Sequence, residues 1–370
     1  MGCGSHARDR CAGILGSQNN EPYSGDHVTR HVHFVGSIGL DSTEEVFAVV
    51  GKTVKTFLKR CPDGEVGGRR LWISYQWPVL RATPFLEPAS DTAVPGMGLT
   101  TLRLKSGAPE REIHFGELGY AREARTSYQD FLAARKSGDI APGTRFQVCL
   151  PTPAAVISAF VVPQDIPRIL PAYTQAMLRE VERTCQSIPH SDLAIQWDVC
   201  IEMIQWDGRA ALMPPFPGME AAFRQAFAAL GETVPPDVEL GFHLCYGDMD
   251  AKHFVEPVDL SKAVELANLI ISSAGRPVTW IHMPVPRDRQ DRAYFAPLAE
   301  LRRSPGLELY LGLVHSQDGV EGTVQRMKRA SEVTKDFGIA TECGIGRART
   351  AELARSLMEI HAGAAKALPL

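Results

Sequence analysis

The chain has 370 residues, 44% of them hydrophobic and 22% charged, a globular balance that excludes disorder along the whole length. Lys and Arg number 39 against 43 Asp and Glu, a formal net charge of -4, so no basic surplus supports a nucleic-acid partner. No uninterrupted apolar run reaches the ~18 residues of a membrane helix, and no membrane partner is expected.

Residues 1–29 are rich in Gly, Ser, Asn and Asp with little periodicity and read as a mobile arm. Residues 30–370 read as a single domain. His31-Val32-His33-Phe34-Val35-Gly36-Ser37 has the pattern of a short buried strand ending in a Gly-Ser turn. Ser42-Thr43-Glu44-Glu45 is a capping box opening a helix through about Lys59. Further strands are expected near Leu71–Tyr75, Glu112–Phe115, Arg145–Leu150, Asp192–Asp198, Glu239–Cys245, Val278–His282, Glu308–His315 and Ile339–Cys343. Helices are expected near Ala121–Arg135, Ile166–Cys185, Met219–Leu230, Leu260–Ser273, Arg292–Arg302, Val320–Asp336 and Ala351–Ala362. Such alternation predicts parallel βαβ units. Eight or so strands favour a closed (β/α)8 TIM barrel in the α/β class. A nucleotide-binding open sheet is the runner-up, because Gly36-Ser37-Ile38-Gly39 lacks the third glycine of the dinucleotide fingerprint.

The eight cysteines are scattered, and the N-terminus carries no apolar signal-peptide core, which suggests reduced thiols and a cytoplasmic location. In a barrel, the residues where strands end and loops begin face the active site. Those positions hold Ser37, Glu65, Asp198, His243, Cys245, His282, His315 and Cys343. His243 and Cys245 stand two apart on one strand, so imidazole and thiolate converge. Cys343 and His282 end later strands. Four such N/S donors in tetrahedral array suit Zn2+. A lone His-x-Cys pair is more often core; the full set at strand ends is not what a bland core predicts. Cys149 and Cys200 have no comparable partners and read as core. Trp72, Trp77, Trp197 and Trp206 stand near these positions, either packing on the barrel or offering a stacking surface. The run Arg287-Asp288-Arg289-Gln290-Asp291-Arg292 reads as a solvated loop or as a grip on an anionic tail.

In order along the chain, Val35-Gly36-Ser37, Asp63-Gly64-Glu65, Gln196-Trp197-Asp198, His243-Leu244-Cys245-Tyr246, His315-Ser316 and Cys343-Gly344 with Arg347 form a set. This set resembles the catalytic barrel of cobalamin-independent methionine synthase and, more widely, the zinc thiol-alkyltransferases of the superfamily that includes uroporphyrinogen decarboxylase. The resemblance implies Zn2+ held by His243, Cys245 and Cys343 with a fourth ligand. It implies a small thiol substrate and an alkyl donor, which could be a folate, a corrinoid protein or another activated alkyl group. It implies Glu65 and Asp198 on a substrate amine, Ser37 on a carboxylate, Trp197 in the substrate wall, and His315 as an acid for the leaving group.

The sequence also departs from the family. His282 stands where the family's ligand glutamate would be, Val199-Cys200 replaces Glu-Pro after the aspartate, and the first half of the long methionine synthases has no counterpart. Exchanging the carboxylate for a neutral imidazole removes one negative charge from the metal, which makes it a stronger Lewis acid and its thiolate less nucleophilic. Three functions stay open at this point: a zinc-dependent thiol alkyl- or methyltransferase, a zinc lyase or hydrolase, and a metal-free barrel.

Overall fold

The structure, a computed structural model, describes residue 1 and residues 30–94, 98–211, 213–247, 252–346 and 349–368. The arm expected over residues 1–29, residue 1 aside, and Arg347 lie outside the described residues. The strands are β1 (Arg60–Pro62), β2 (Leu86–Val94), β3 (Leu99–Leu104), β4 (Arg145–Pro151), β5 (Leu193–Val199), β6 (Glu239–Leu244), β7 (Trp280–Pro284), β8 (Glu308–Gly312) and β9 (Gly338–Ile339). Seven of them form one curled sheet in the order β1-β4-β5-β6-β7-β8-β9, parallel throughout. The other two form a separate antiparallel hairpin. Helices Ile166–Ser187, Met219–Glu232, Ser261–Ser273 and Gly319–Ser331 make crossovers between successive strands of the sheet. Strands covered on both faces become apolar throughout, and every residue of β5 and β7 is buried. Among the described residues no helix is long and apolar enough to cross a membrane.

Both edges of the sheet meet the segment that the sequence marks as its first strand. Val32 bridges Leu58 on one side and Ile339 on the other. Val32 N–H donates to Phe57 O at 3.0 Å and His33 N–H to Ile339 O at 2.9 Å. Further along, Ile38 N–H donates to Gly64 O (2.8 Å) while Ser37 O accepts from Ile345 N–H (2.7 Å). The segment makes isolated bridges rather than a continuous ladder.

Other expectations are corrected. No strand forms at Leu71–Tyr75: Trp72, Ser74 and Gln76 donate three residues back to Arg69, Leu71 and Ile73, so the chain winds through turns into the helix Gln76–Arg81. Glu112–Phe115 alternates like a strand because Ile113 and Phe115 are buried. Its Phe115 carbonyl, however, accepts from Arg179 Nη2 at 2.7 Å instead of from a partner strand. The helix expected through Lys59 stops at Thr53, and the chain passes through a 3-10 turn, Lys55–Phe57, into the unforeseen β1. The helix expected over Arg292–Arg302 is an α-turn, Arg292–Phe295, followed by the 3-10 segment Ala296–Glu300. Pro297 there has no N–H for an α-helical bond. The β2–β3 hairpin and the helices Gln76–Arg81, Pro153–Phe160 and Ile201–Asp207 are additions the pattern did not reveal.

Inside the sheet the side chains form layers. At the strand starts Arg60, 2% exposed, donates to Glu239 and, at 2.9 Å, to Glu308. Its guanidinium lies 4.2 Å from the centre of the Trp280 ring. Lys59 and Arg145 pair with the remaining oxygens of those carboxylates, and Tyr310 donates to Glu308. Trp280 fits there because it faces Gly241 across the β6–β7 pair. A Cβ at Gly241 would lie 1.9 Å from the indole, so only glycine is accommodated. The next layer is His33, 4.8 Å from the Tyr310 ring, with Gln196. Above it stand the polar ends of β5, β6 and β7.

Candidate functional site

At the carboxyl end of the sheet, β6 delivers His243 to a loop beginning at Cys245, and the turn after β9 delivers Cys343. One ligand atom from each of these three residues lies within 4.8 Å of the others. The two sulfurs are 3.8 Å apart. Two Zn–S bonds of about 2.3 Å at a tetrahedral angle span about that distance. His243 Nε2 is buried and has no hydrogen-bond partner. An orphaned imidazole nitrogen beside two thiols is unfavourable unless something fills the gap. The donor set, one borderline nitrogen and two soft sulfurs, is one that Zn2+ takes. Burial, reinforced by His282 and His33, holds His243 well below the usual histidine range, so the ring is neutral and able to ligate. The Cys245 thiol is held high by hydrogen bonding to Cys200 and by burial.

The sequence reading set His282 among the ligands. The structure does not bring it there. Its Nδ1 lies 2.7 Å from His243 Nδ1 and its Nε2 lies 3.0 Å from Thr341 O, so both ring nitrogens are engaged away from the sulfurs. Burial pushes its pKa down to about 3.

A narrow cavity opens above the three donors. Ser37, Glu65, Trp72, Asp198 and Cys200 line it together with His243, Cys245 and Cys343. Asp198 ends β5 and is held from two sides: Gln196 Nε2 donates to one oxygen at 2.9 Å and Trp72 Nε1 to the other at 3.2 Å. Glu65 and Trp72 are the two non-glycine residues with positive φ among the described residues, at 48° and 57°. Such backbone costs roughly 1–2 kcal/mol each, and both positions aim side chains into the cavity. Arg69 pairs with Asp63 at 2.6 Å. Ser37 packs against the last turn: a Cβ at Gly344 would come 2.2 Å from Ser37 Oγ.

Other positions fall elsewhere. Trp197 alternates away from Gln196 and Asp198 and is fully buried in the apolar core instead of lining the cavity. Trp77 and Trp206 donate to Thr100 O and Glu265, outside it. Cys200, read as core, is a wall of the cavity and packs with Cys245 and Ile204. All six described cysteines are free thiols.

A second, wider and more polar cleft shares Cys343 and Gly247 with the first. His315 lies here with Lys252, His253, Arg287, Arg289 and Glu342. Glu342, which the sequence reading missed, sits between His253 Nε2 (3.6 Å) and His315 Nδ1 (3.8 Å). His315 Nε2 donates to Val285 O at 2.9 Å. Burial, then the nearby Arg326, pushes His315 down to about 4. Burial thus favours the uncharged imidazole, which works against the acid role that the resemblance implies. Asp291, in the charged run before it, caps the helix that starts at Arg292.

No protein-family model matches the chain, and no curated protein matches it in sequence. Solved structures do match. A Listeria monocytogenes protein assigned as a vitamin-B12-independent methionine synthase superposes at a TM-score of 0.57, with 14% identity over 91% of this chain and 98% of its own. A B12-independent methionine synthase from Shewanella sp. W3-18-1, solved in complex with selenomethionine, gives 0.58 and 11% over 92% and 97%. The chain shares the fold of these proteins. At such identities the likeness is one of fold, and the chemistry has to be argued from the site.

Proposed function

We propose that the chain is a zinc-dependent transferase that alkylates, and with the simplest donor methylates, a small thiol bearing an amino group. The observation that carries this reading is His243 Nε2, buried without a partner and grouped with two thiols at a zinc-compatible separation. The names of the two fold neighbours support it, as does the selenomethionine, an amino acid with a methylated chalcogen, bound by one of them. We further take residues 30–370 as one closed (β/α)8 barrel in which residues 31–38 act as the eighth strand, because both sheet edges hydrogen-bond to them. The free thiols favour a reducing compartment such as the cytoplasm.

His243, Cys245 and Cys343 would hold the metal and leave a fourth position open to the cavity. A zinc ion held there would supply Lewis acidity that lowers the pKa of a substrate thiol. Glu65 and Asp198 bind the substrate ammonium, with Asp198 oriented by Gln196 and Trp72. Ser37, against the backbone of Gly344, takes the substrate carboxylate. The donor enters through the wider cleft, where Lys252 and Arg287 suit an anionic tail. In the transfer the sulfur–carbon bond forms as the donor's carbon–leaving-group bond breaks, and the leaving group departs with the electron pair. Because His315 is neutral, we assign it to donor contact and let water in the open cleft supply the proton.

With three protein donors, a bound zinc could instead activate water, which is the basis of a hydrolase or lyase reading. Elemental analysis of purified protein, followed by a screen of amino thiols with alkyl donors, separates these. About one zinc per chain and a thioether product support the transferase. Zinc with product formation that ignores added thiol favours the hydrolase or lyase. Absence of zinc after reconstitution removes the metal reading.

A further inference from the structure

We propose that His282 is a positioning residue: it fixes the tautomer of His243 and so directs a bare Nε2 lone pair at the Cys245–Cys343 pair. This rests on the metal reading above, but the hydrogen bonds that argue for it stand independently of any ion.

The argument follows the protons. A backbone carbonyl only accepts, so His282 Nε2, 3.0 Å from Thr341 O, carries a hydrogen and donates it. A neutral imidazole with its proton on Nε2 has a bare Nδ1, which can only accept. His243 Nδ1 is 2.7 Å away, so the one proton between the two rings belongs to His243. His243 then has no hydrogen on Nε2, the nitrogen that remains for the sulfurs once Nδ1 faces His282. In the competing arrangement His282 is doubly protonated and donates to His243. That arrangement buries a cation among His33, His243 and the sheet interior and leaves an Nε2–H of His243 with no acceptor. Both consequences are unfavourable.

The architecture serves the same end. His243 and His282 are direct partners in the β6–β7 register, which sets the rings side by side with centroids 4.8 Å apart. Thr341, the acceptor, stands two residues before Cys343 and also donates its hydroxyl to Cys343 O at 2.7 Å. One turn thus carries a sulfur donor and the carbonyl that orders the nitrogen donor. Metal-bound histidines are oriented by such second hydrogen bonds, and losing one costs roughly 10–100-fold in metal affinity. In place of the carboxylate the sequence resemblance leads one to expect, β7 thus contributes a ring that acts through another ring.

The decisive measurement is nitrogen-15 NMR of zinc-free wild-type protein labelled only at histidine. The expected result is the Nδ1–H tautomer for His243 and the Nε2–H tautomer for His282. An Nε2–H tautomer at His243 would overturn the proposal, and this holds whether or not zinc binds. Zinc competition titrations on variants follow. His282→Phe keeps a flat ring without the acceptor and should weaken zinc roughly 10–100-fold. His282→Asn restores an acceptor oxygen near the Nδ1 position and should recover most of that loss. Cobalt-substituted His282→Phe should retain its sulfur charge-transfer bands while its ligand-field bands change. Wild-type affinity in His282→Phe would defeat the proposal. Wild-type protein that binds no zinc but shows the expected tautomers would defeat the metal reading alone.

Discussion

Two polar clusters lie at opposite ends of the same sheet, and they differ in how their groups are partnered. At the strand starts, Arg60, Lys59 and Arg145 meet Glu239, Glu308 and Tyr310, and each carboxylate takes two cationic partners. At the strand ends, His243, Cys245 and Cys343 converge and leave a ring nitrogen with nothing to bond. What distinguishes them is partnering: the charged groups at the strand starts are paired with one another, whereas at the strand ends a buried ring nitrogen without a partner stands beside two thiols, and that combination calls for an explanation.

That contrast can be attacked from either end. The largest effect is expected at the open end, where Cys245→Ala should abolish stable zinc retention. Elemental analysis after dialysis checks this, and full retention would break the assignment. At the closed end Arg60→Ala should lower stability by about 2–5 kcal/mol, because it empties a buried site beneath Trp280 and takes one of two cationic partners from each carboxylate. Urea denaturation measures this, with zinc content of the folded protein unchanged. Smaller is the acid dependence. Burial opposes ionisation of Glu308, yet Arg60 and Lys59 hold its pKa down to about 2 against the ordinary 4.5. A depressed folded pKa contributes stability that is present above pH 4.5 and is lost as pH falls toward 2. Glu308→Gln should flatten that slope; an unchanged acid profile would mean the pair contributes little. Smallest is Trp72→Phe, which removes one bond to Asp198. At about 1 kcal/mol it should weaken binding of an amino thiol roughly fivefold in calorimetry and leave zinc in place.

Much of the open end was legible in the sequence, because two-residue spacing on a strand and position at strand ends are local properties. His243, Cys245, Asp198, Glu65 and Ser37 reach the cavity for that reason. His282 illustrates the limit: its residue type fits a ligand, and only the register to His243 and the position of Thr341 O reveal both nitrogens as occupied. Trp197 fails by parity, since its neighbours on β5 face inward and it does not. Glu342 was invisible because its role depends on His253 and His315, which lie on other loops. The closed end was not legible at all. Arg60, Glu239 and Glu308 look like surface charges until the curl of the sheet brings three strand starts together. In the fold itself, long periodic helices came through well. The short β1, the β2–β3 hairpin and the turns at Leu71–Tyr75 did not, because three-residue strands and i to i+3 turns leave no period to read.

The segment 31–38 hydrogen-bonds on one side to residues 57–64 and on the other to residues 339–345. During synthesis the first of these contacts can form early, while the second waits for nearly the whole chain. Until then β1 and β8 flank a gap, and the unpaired edges are exposed to other chains. Contacts across about three hundred residues are expected to form slowly by contact-order reasoning. Ser37 meets Gly344 through such a contact. The cavity is complete only when both are in place, and a chain halted before residue 339 would carry His243 and Cys245 without Cys343.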